Sequence, residues 1–359
     1  MKIPPAPHRV LALLAGLLAP TLLGAQDYTD RYDLAPSAKH VDLGVQPMAY
    51  PLAFLSSTLQ RDRILRAELK KLGLELRVFS FRKGNDMVRF LGEGRLELAF
   101  LGDMPTVNGL VRTPLGIVGL GKRNFSSIVS RRHARLEELK GKAVGYSPGS
   151  SSHLVLLRGL QAAGMSEADV RLVALEPGAM PEALESGQVE AFSAWEPTPS
   201  IALARNPRNR AIYRGMSTDW VVVARPFAEQ QPRAALALVA AFVRAVNWMR
   251  ASAAHAERAA DWVLADGEAF TGQRPAISRA KAIEIARTDL LDVPGAPAAP
   301  PKLDGMAPLV REFEFLQRQG RVPAGVEVAR VAEAFSYGGL RQVQADPRGH
   351  RVFTYDYEP

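Results

Sequence analysis

Short, densely apolar runs alternate with longer amphipathic ones from residue 40 to about 224. "VDLGVQ" (41–46), "LELRVFSF" (74–81), "LELAFLGD" (96–103), "AVGYS" (143–147), "RLVALEP" (171–177) and "VEAFSAW" (189–195) have the length and apolar density of buried strands. Between them, Leu52–Leu72, Asp86–Leu91, Leu154–Ala163 and Met180–Glu185 carry helical spacing. Strand–helix alternation predicts an α/β fold with mainly parallel sheets and flanking helices. After Pro226 the pattern becomes helical, as in "PRAALALVAAFVRAVNWMRA" (232–251). The Pro/Ala-rich "VPGAPAAPPK" (293–302) reads as a linker, and the tail from Gln342 has no assignable pattern.

The pattern also repeats. "MVRFLGEGRLELAFLGD" (87–103) aligns without gaps to "MPEALESGQVEAFSAWE" (180–196), a shift of 93 residues. Each copy is a helix stopped by Gly, then a strand, then an acidic residue, Asp103 or Glu196, at the strand's carboxyl end. The repeat predicts two similar lobes. In open α/β sheets ligands lie outside the carboxyl ends of the strands, so both acids are expected at one cleft from opposite sides.

Length fits two domains, and 47% hydrophobic with 23% charged residues is an ordinary globular composition. The N-terminus adds a compartment. Lys2 and Arg9 precede the 14-residue apolar run Val10–Leu23, with small residues Gly24 and Ala25 after it. That order reads as a signal peptide (1–25) removed near Ala25, which implies a soluble periplasmic protein. The chain contains no cysteine, so disulfides, thiolate catalysis and lipid attachment through Cys are excluded. The formal charge of +8 gathers in "SRRHAR" (130–135) and "RNPRNR" (205–210). No aromatic residues interleave with these runs, and export also argues against nucleic acid. They read as solvated faces or a partner-docking surface.

Candidate chemistry centres on "GYSPGSSSHLVLLRGLQAAG" (145–164). Its first five residues match the G-x-S-x-G elbow of a serine hydrolase. That fold draws an oxyanion-hole donor from the residue after the serine, and here Pro148 has no N–H. Losing one such donor costs about 2.7–4 kcal/mol of transition-state stabilisation. The hydrolase reading is rejected. Ser150, Ser151 and Ser152 suit a helix start, whose free N–H groups together with the hydroxyls and His153 form a seat for an anion. Plain capping with nothing bound is the alternative.

Residues 136–197 resemble the sulfonate/nitrate/taurine group of ABC-transporter solute-binding proteins (the NMT1/THI5-like family). The motifs that carry it are L-K-G-K (139–142), G-S-S-S-H (149–153) and "EALESGQVEAFSAWEP" (182–197). "FRKGNDMVRFLGEGRLELAFLGDMPTV" (81–107) and "WVVVARPFAEQQPRAALALVAAF" (220–242) are similar to its first lobe. The resemblance implies a two-lobed periplasmic-binding-protein type II fold with a ligand cleft between lobes. Lobe 1 is expected at 27–124 and 218–359, with a C-terminal helical extension, and lobe 2 at 125–217. It further implies a monomer without metal or cofactor that passes a small organic anion to an ABC permease and its ATPase. By position, the cleft residues are expected to be Gln46, Arg82, Lys83, Asn85, Asp103, Thr106, Ser150, Ser151, Ser152, His153, Trp195, Glu196, Asp219 and Trp220. The tryptophans would cover an apolar or aromatic body, and the carboxylates would meet an amino group or hydroxyls. Sulfonate, sulfate ester, nitrate and carboxylate all stay open, with nitrate disfavoured if both indoles line the cleft. A periplasmic ligand sensor and a catalytic member of the same fold are the rival functions. No H-x-H or H-E-x-x-H spacing supports a metal enzyme.

Overall fold

The computed structural model describes residues 28–292 and 308–358; the expected signal peptide and the linker lie outside them. Residues 28–33 belong to a separate small unit, in which a 3-10 turn, Tyr28–Arg31, is followed by Tyr32 with the Arg31 guanidinium over its ring. From Leu34 onward the chain forms one body.

That body is built on eight strands: β1 (His40–Val45), β2 (Glu75–Ser80), β3 (Leu98–Gly102), β4 (Leu115–Ser130), β5 (Ala143–Tyr146), β6 (Arg171–Ala174), β7 (Ala191–Ala194) and β8 (Arg210–Ala224). Their order is β2-β1-β3-β8-β4-β7-β5-β6. The six short strands fall where the apolar runs predict them. The two long ones, β4 and β8, were not expected, and they organise the fold. Antiparallel to each other and paired from Leu115↔Ala224 to Ser130↔Arg210, they run through both halves of the sheet. In one half β2, β1 and β3 lie parallel, with β8 antiparallel beside β3. In the other β6, β5 and β7 lie parallel, with β4 antiparallel beside β7. Each half therefore has the same order, three parallel strands followed by a long strand returning from the other half. The result is a two-lobed α/β fold in which β4 and β8 are the crossings.

The sequence repeat corresponds to this pseudo-symmetry. Helix α3 (Gly84–Gly92) leads into β3 just as α6 (Met180–Glu185) leads into β7; Gly94 and Gly187, in register, make both turns with φ of 65° and 78°. The expected single helix Leu52–Leu72 is instead two, α1 (Leu52–Leu59) and α2 (Arg63–Lys71). Asp62 breaks it by capping α2, its carboxylate accepting from the Leu65 N–H at 3.0 Å. The remaining helices of the lobes are α4 (Asp103–Leu110), α5 (Ser151–Ala162), α7 (Thr198–Arg205), α8 (Arg225–Gln230), α9 (Pro232–Ala251), α10 (Ala253–Thr271) and α11 (Arg279–Ala286). Beyond the linker come α12 (Pro308–Arg318), α13 (Ala329–Ala334) and α14 (Gly338–Ala345), which covers part of the unassigned tail.

In lobe 1, α1, α2, α9 and α10 pack Phe54, Leu65, Phe242 and Trp262 against Val41, Leu43 and Phe100 of the sheet. Helix α9 has the length and hydropathy of a membrane span, but 67% of that stretch is buried here, as in a soluble core helix. In lobe 2, successive residues divide between two cores: Val129, Ala143 and Phe192 face one side, Ile128, Val144 and Ala191 the other.

One buried ion pair ties the C-terminal tail to lobe 1. Arg244 of α9 donates to Asp62 at 2.7 Å, both groups almost fully buried, and also reaches the carbonyls of His350 and Arg351. Burial pushes the Asp62 carboxyl up, and the Arg244 charge opposes that. Arg244→Ala leaves a buried acid uncompensated and is expected to cost about 3–5 kcal/mol. A lower urea midpoint and faster proteolysis of the tail after residue 345 would show it; an unchanged midpoint would contradict it.

Candidate functional site

The carboxyl ends of β1, β2 and β3 in lobe 1 face those of β5, β6 and β7 in lobe 2, and in this structure the loops that follow them touch. The Tyr50 N–H donates to the Glu196 carbonyl at 2.9 Å. Lys83 pairs with Glu176 at 3.3 Å, and Gly149 lies against the Asn85 amide. Gly102 lies so close to Ser151 that a Cβ there would sit 2.0 Å from its Oγ. The cleft is closed.

The serine-capped start of α5 is built as the sequence predicts. Ser150 caps it, accepting from the His153 N–H at 3.2 Å and donating its own hydrogen to the Ser147 carbonyl at 2.7 Å. Ser150 and Ser152 hydroxyls are 3.0 Å apart. Since Ser150 has one hydrogen and has used it, Ser152 is the donor there. Two of the three hydroxyl hydrogens are thus spent within the protein, and Ser151 is pressed against lobe 1.

His153 departs from its expected role. Its Nδ1 accepts from the Gly149 N–H at 3.2 Å, so Nε2 carries the proton and donates to Glu167 at 2.8 Å. Burial lowers its pKa against the pull of Glu167, so the ring stays neutral. Both nitrogens are occupied, and His153 offers a ligand no donor. It fixes the loop that begins α5.

The acids are also engaged. Asp103 accepts from the N–H groups of Met104 (2.9 Å) and Thr218 (3.2 Å). Glu196 accepts from the Ser200 N–H, in the first turn of α7, at 3.3 Å. Asp219 pairs with Lys122 at 3.3 Å, and Lys122 also donates to Asn124 at 2.6 Å. Glu312 of α12 lies beside Asp103 and 3.5 Å from Arg158 of α5, one carboxylate oxygen buried without a partner. Burial first, then the Asp103 charge, raises the Glu312 carboxyl well above its usual range; burial likewise raises Glu196 and Asp219. Around these groups Ser126, Ser217 and Thr218 bury hydroxyls that have no protein partner.

Among the other expected residues, Gln46 donates to the Phe100 carbonyl (3.3 Å), Thr106 to the Gly102 carbonyl (2.7 Å), and Asn85 accepts from Asn108 (2.9 Å). Arg82 and Trp195 line a cavity of about 450 Å³ between the lobes. Trp220 does not join them. It packs edge-on against Phe335 at 5.5 Å in lobe 1, as a core residue. The two-indole argument against nitrate therefore keeps one indole. Sequence reading missed Lys122 and Glu312; a lysine interrupting an otherwise apolar stretch, "LGIVGLGK", was the available signal for the first. The basic run 130–135 is matched by acids of lobe 2: Arg131 with Glu185 (2.9 Å), Arg132 with Glu190 (3.5 Å) and Arg135 with Glu138 (3.2 Å).

Comparison with known proteins places this geometry in a wider set. The model of the NMT1-like family matches residues 67–264. A putative aliphatic sulfonates-binding protein of Bacillus subtilis is 25% identical over 237 residues, 62% of this chain and 68% of that one. One from Escherichia coli is 30% identical over 160 residues, 42% of this chain and half the length of that relative. The structure is similar to the periplasmic aliphatic sulphonate binding protein SsuA from Escherichia coli, with TM-score 0.62 and 22% identity over 82% of this chain and 97% of that one. The desulfurization enzyme DSZB has the same fold, with TM-score 0.56 and 16% identity over 86% of this chain and all of that one.

The Glu312 carboxyl, raised by folding, contributes stability below its usual titration range near 4.5 and loses that contribution as pH rises through the elevated value. Glu312→Gln removes the loss. The thermal midpoint of the variant is expected to gain on the parent as pH rises above 4.5. Parallel curves over that range would contradict the assignment.

Proposed function

The chain belongs to the NMT1-like family, and we propose that it is the periplasmic substrate-binding component of an ABC importer, capturing a small organic anion between its lobes and delivering it to a permease. In this reading residues 27–124 and 218–359 form lobe 1, with 125–217 as lobe 2. The ladder step Asn124↔Ser217 is the boundary on both crossings. The observation that carries the proposal is the closed cleft itself: strand carboxyl ends from two pseudo-symmetric lobes meet across a hinge of two shared strands, where ligands of open α/β sheets bind. The sulfonate-binding relatives supply the ligand class, and export by the N-terminal segment supplies the compartment.

Energetics are consistent with a carrier. Hydrogen bonds to a charged ligand group contribute about 1.5–3 kcal/mol each. Three of them with modest apolar burial reach about 8 kcal/mol, a micromolar Kd. That is tight enough to collect a dilute solute and loose enough to release it.

The test is calorimetric titration of the mature protein, unfolded and refolded to strip bound solute, with alkane- and arylsulfonates, taurine, sulfate esters, nitrate and short carboxylates. Binding of at least one class near micromolar Kd, with the ligand recovered chemically unchanged, is the expected result. Silence across the whole panel would overturn the proposal; a converted ligand would make the chain an enzyme, as its fold relative DSZB is.

A further inference from the structure

The loops after β1, β2, β6 and β7 bring Met48, Arg82, Glu176 and Trp195 to the same cavity of about 450 Å³. Its outer wall comes from elsewhere in the chain, from Phe270 at the end of α10 and the turn carrying Arg274 and Pro275. Gly267 sets that wall. A Cβ there would lie 2.9 Å from Pro275 Cγ and 3.0 Å from Met48 Sδ, so α10 reaches this position only because residue 267 has no side chain.

Chemically the cavity has two parts. Its floor is apolar, with Trp195, Pro181 and Pro275 buried and the Trp195 indole N–H buried without a partner. Its rim is cationic: Arg82, Arg205 and Arg274 are all solvent-exposed and all border it, Arg205 also pairing with Glu182 at 3.3 Å. The one acid in the lining, Glu176, is paired with Lys83. The volume lies in the range of small-molecule sites, about 300–1,000 Å³. Guanidinium groups match the oxygens of carboxylate, sulfonate or phosphate, and an indole face covers a flat apolar body. The start of α5, by contrast, has spent two of its three hydroxyl hydrogens and is sealed by Gly102.

We propose that this cavity, not the serine-capped start of α5, receives the ligand: an anion with a bulky, flat apolar body lodged between Trp195 and Phe270 and its acid group held at the arginine rim. The inference rests on the solute-binding reading above and narrows it. Phe270, Arg274 and Pro275 lie beyond residues 67–264 that match the family model, and this outer wall is the selectivity element of the proposal.

Two probes, ethanesulfonate and 2-naphthalenesulfonate, titrated into the stripped mature protein and its variants, test this. The aryl probe is expected to bind at least about tenfold more tightly, as burial of a two-ring body requires. Phe270→Ala removes most of that margin and leaves ethanesulfonate within about twofold. Arg82→Ala with Arg274→Ala weakens the aryl probe by about tenfold or more, whereas Ser151→Ala with Ser152→Ala changes it little. Equal or tighter binding of ethanesulfonate, or a loss in the serine variant in place of the arginine variant, would overturn the inference and leave a solute-binding protein with its seat at α5. Failure of the aryl probe while another anion of the wider panel binds would do the same. No binding by any anion would remove the solute-binding reading itself.

Discussion

Two antiparallel strands belong to both lobes at once, and the rest of the molecule follows from that sharing. Backbone groups of β4 and β8 are satisfied by each other along the crossing, so the ladder can continue through a region where neither lobe's core can reach. Side chains in that region cannot be apolar on the cleft side without gluing the lobes together. They are instead Lys122, Asn124, Ser126, Ser217 and Asp219, which share one face of the ladder, all almost fully buried and all polar. A buried lysine is tolerable only with an acid and a further acceptor beside it, which Asp219 and Asn124 provide. Register shifts at Ile117/Gly119, Leu120/Lys122 and Ile128/Val129 bracket this stretch, the local twist that β-bulges supply.

That same composition explains what was legible in the sequence. The six short strands are legible as compact, mainly apolar runs, and the glycine-terminated repeat points to two lobes. β4 and β8 escaped because each is apolar at one end, polar in the middle and mixed at the other, a pattern without period 2 or 3.6. It becomes intelligible only when one strand is known to pass from one core, through a cleft, into another. Asp62 was overlooked as a helix break because the apolar spacing continues through it, and the partner that holds it buried, Arg244, is 182 residues away. Site residues divided in the same manner. The strand ends that carry Arg82 and Trp195 put both beside the interlobe cavity, a placement that follows from topology alone. Orientations set by tertiary partners do not follow from it: His153 is turned by Gly149 and Glu167, and Trp220 by Phe335.

The C-terminal segment adds a constraint that the hinge alone does not impose. Helix α12 packs on α4 of lobe 1, where Glu312 lies beside Asp103, and the same Glu312 meets Arg158 of lobe 2 at 3.5 Å. Arg158 also lies over the Phe315 ring at 5.5 Å, and Arg321, just past the helix, pairs with Glu167. Glu167 is the residue that holds His153, and His153 holds the loop opening α5. A continuous set of contacts therefore runs from the segment beyond the linker to the lobe-2 wall of the cleft.

Closure is then a balance with identifiable parts. Across the cleft mouth the lobes meet through single polar contacts, Tyr50 with Glu196 and Lys83 with Glu176, the latter partly exposed and so worth little. Against them stand carboxyls of Asp219, Glu196 and Glu312, whose raised pKa values mean that burying them in charged form is unfavourable. Opening would hydrate those groups near the hinge, while α12 would have to release either Asp103 or Arg158. A ligand shifts such an equilibrium only through contacts it makes better in one state than the other. A solute reaching Arg82 of lobe 1 and Trp195 of lobe 2 at once has those contacts only when the lobes are together, so its binding free energy favours closure around a cavity that both lobes line.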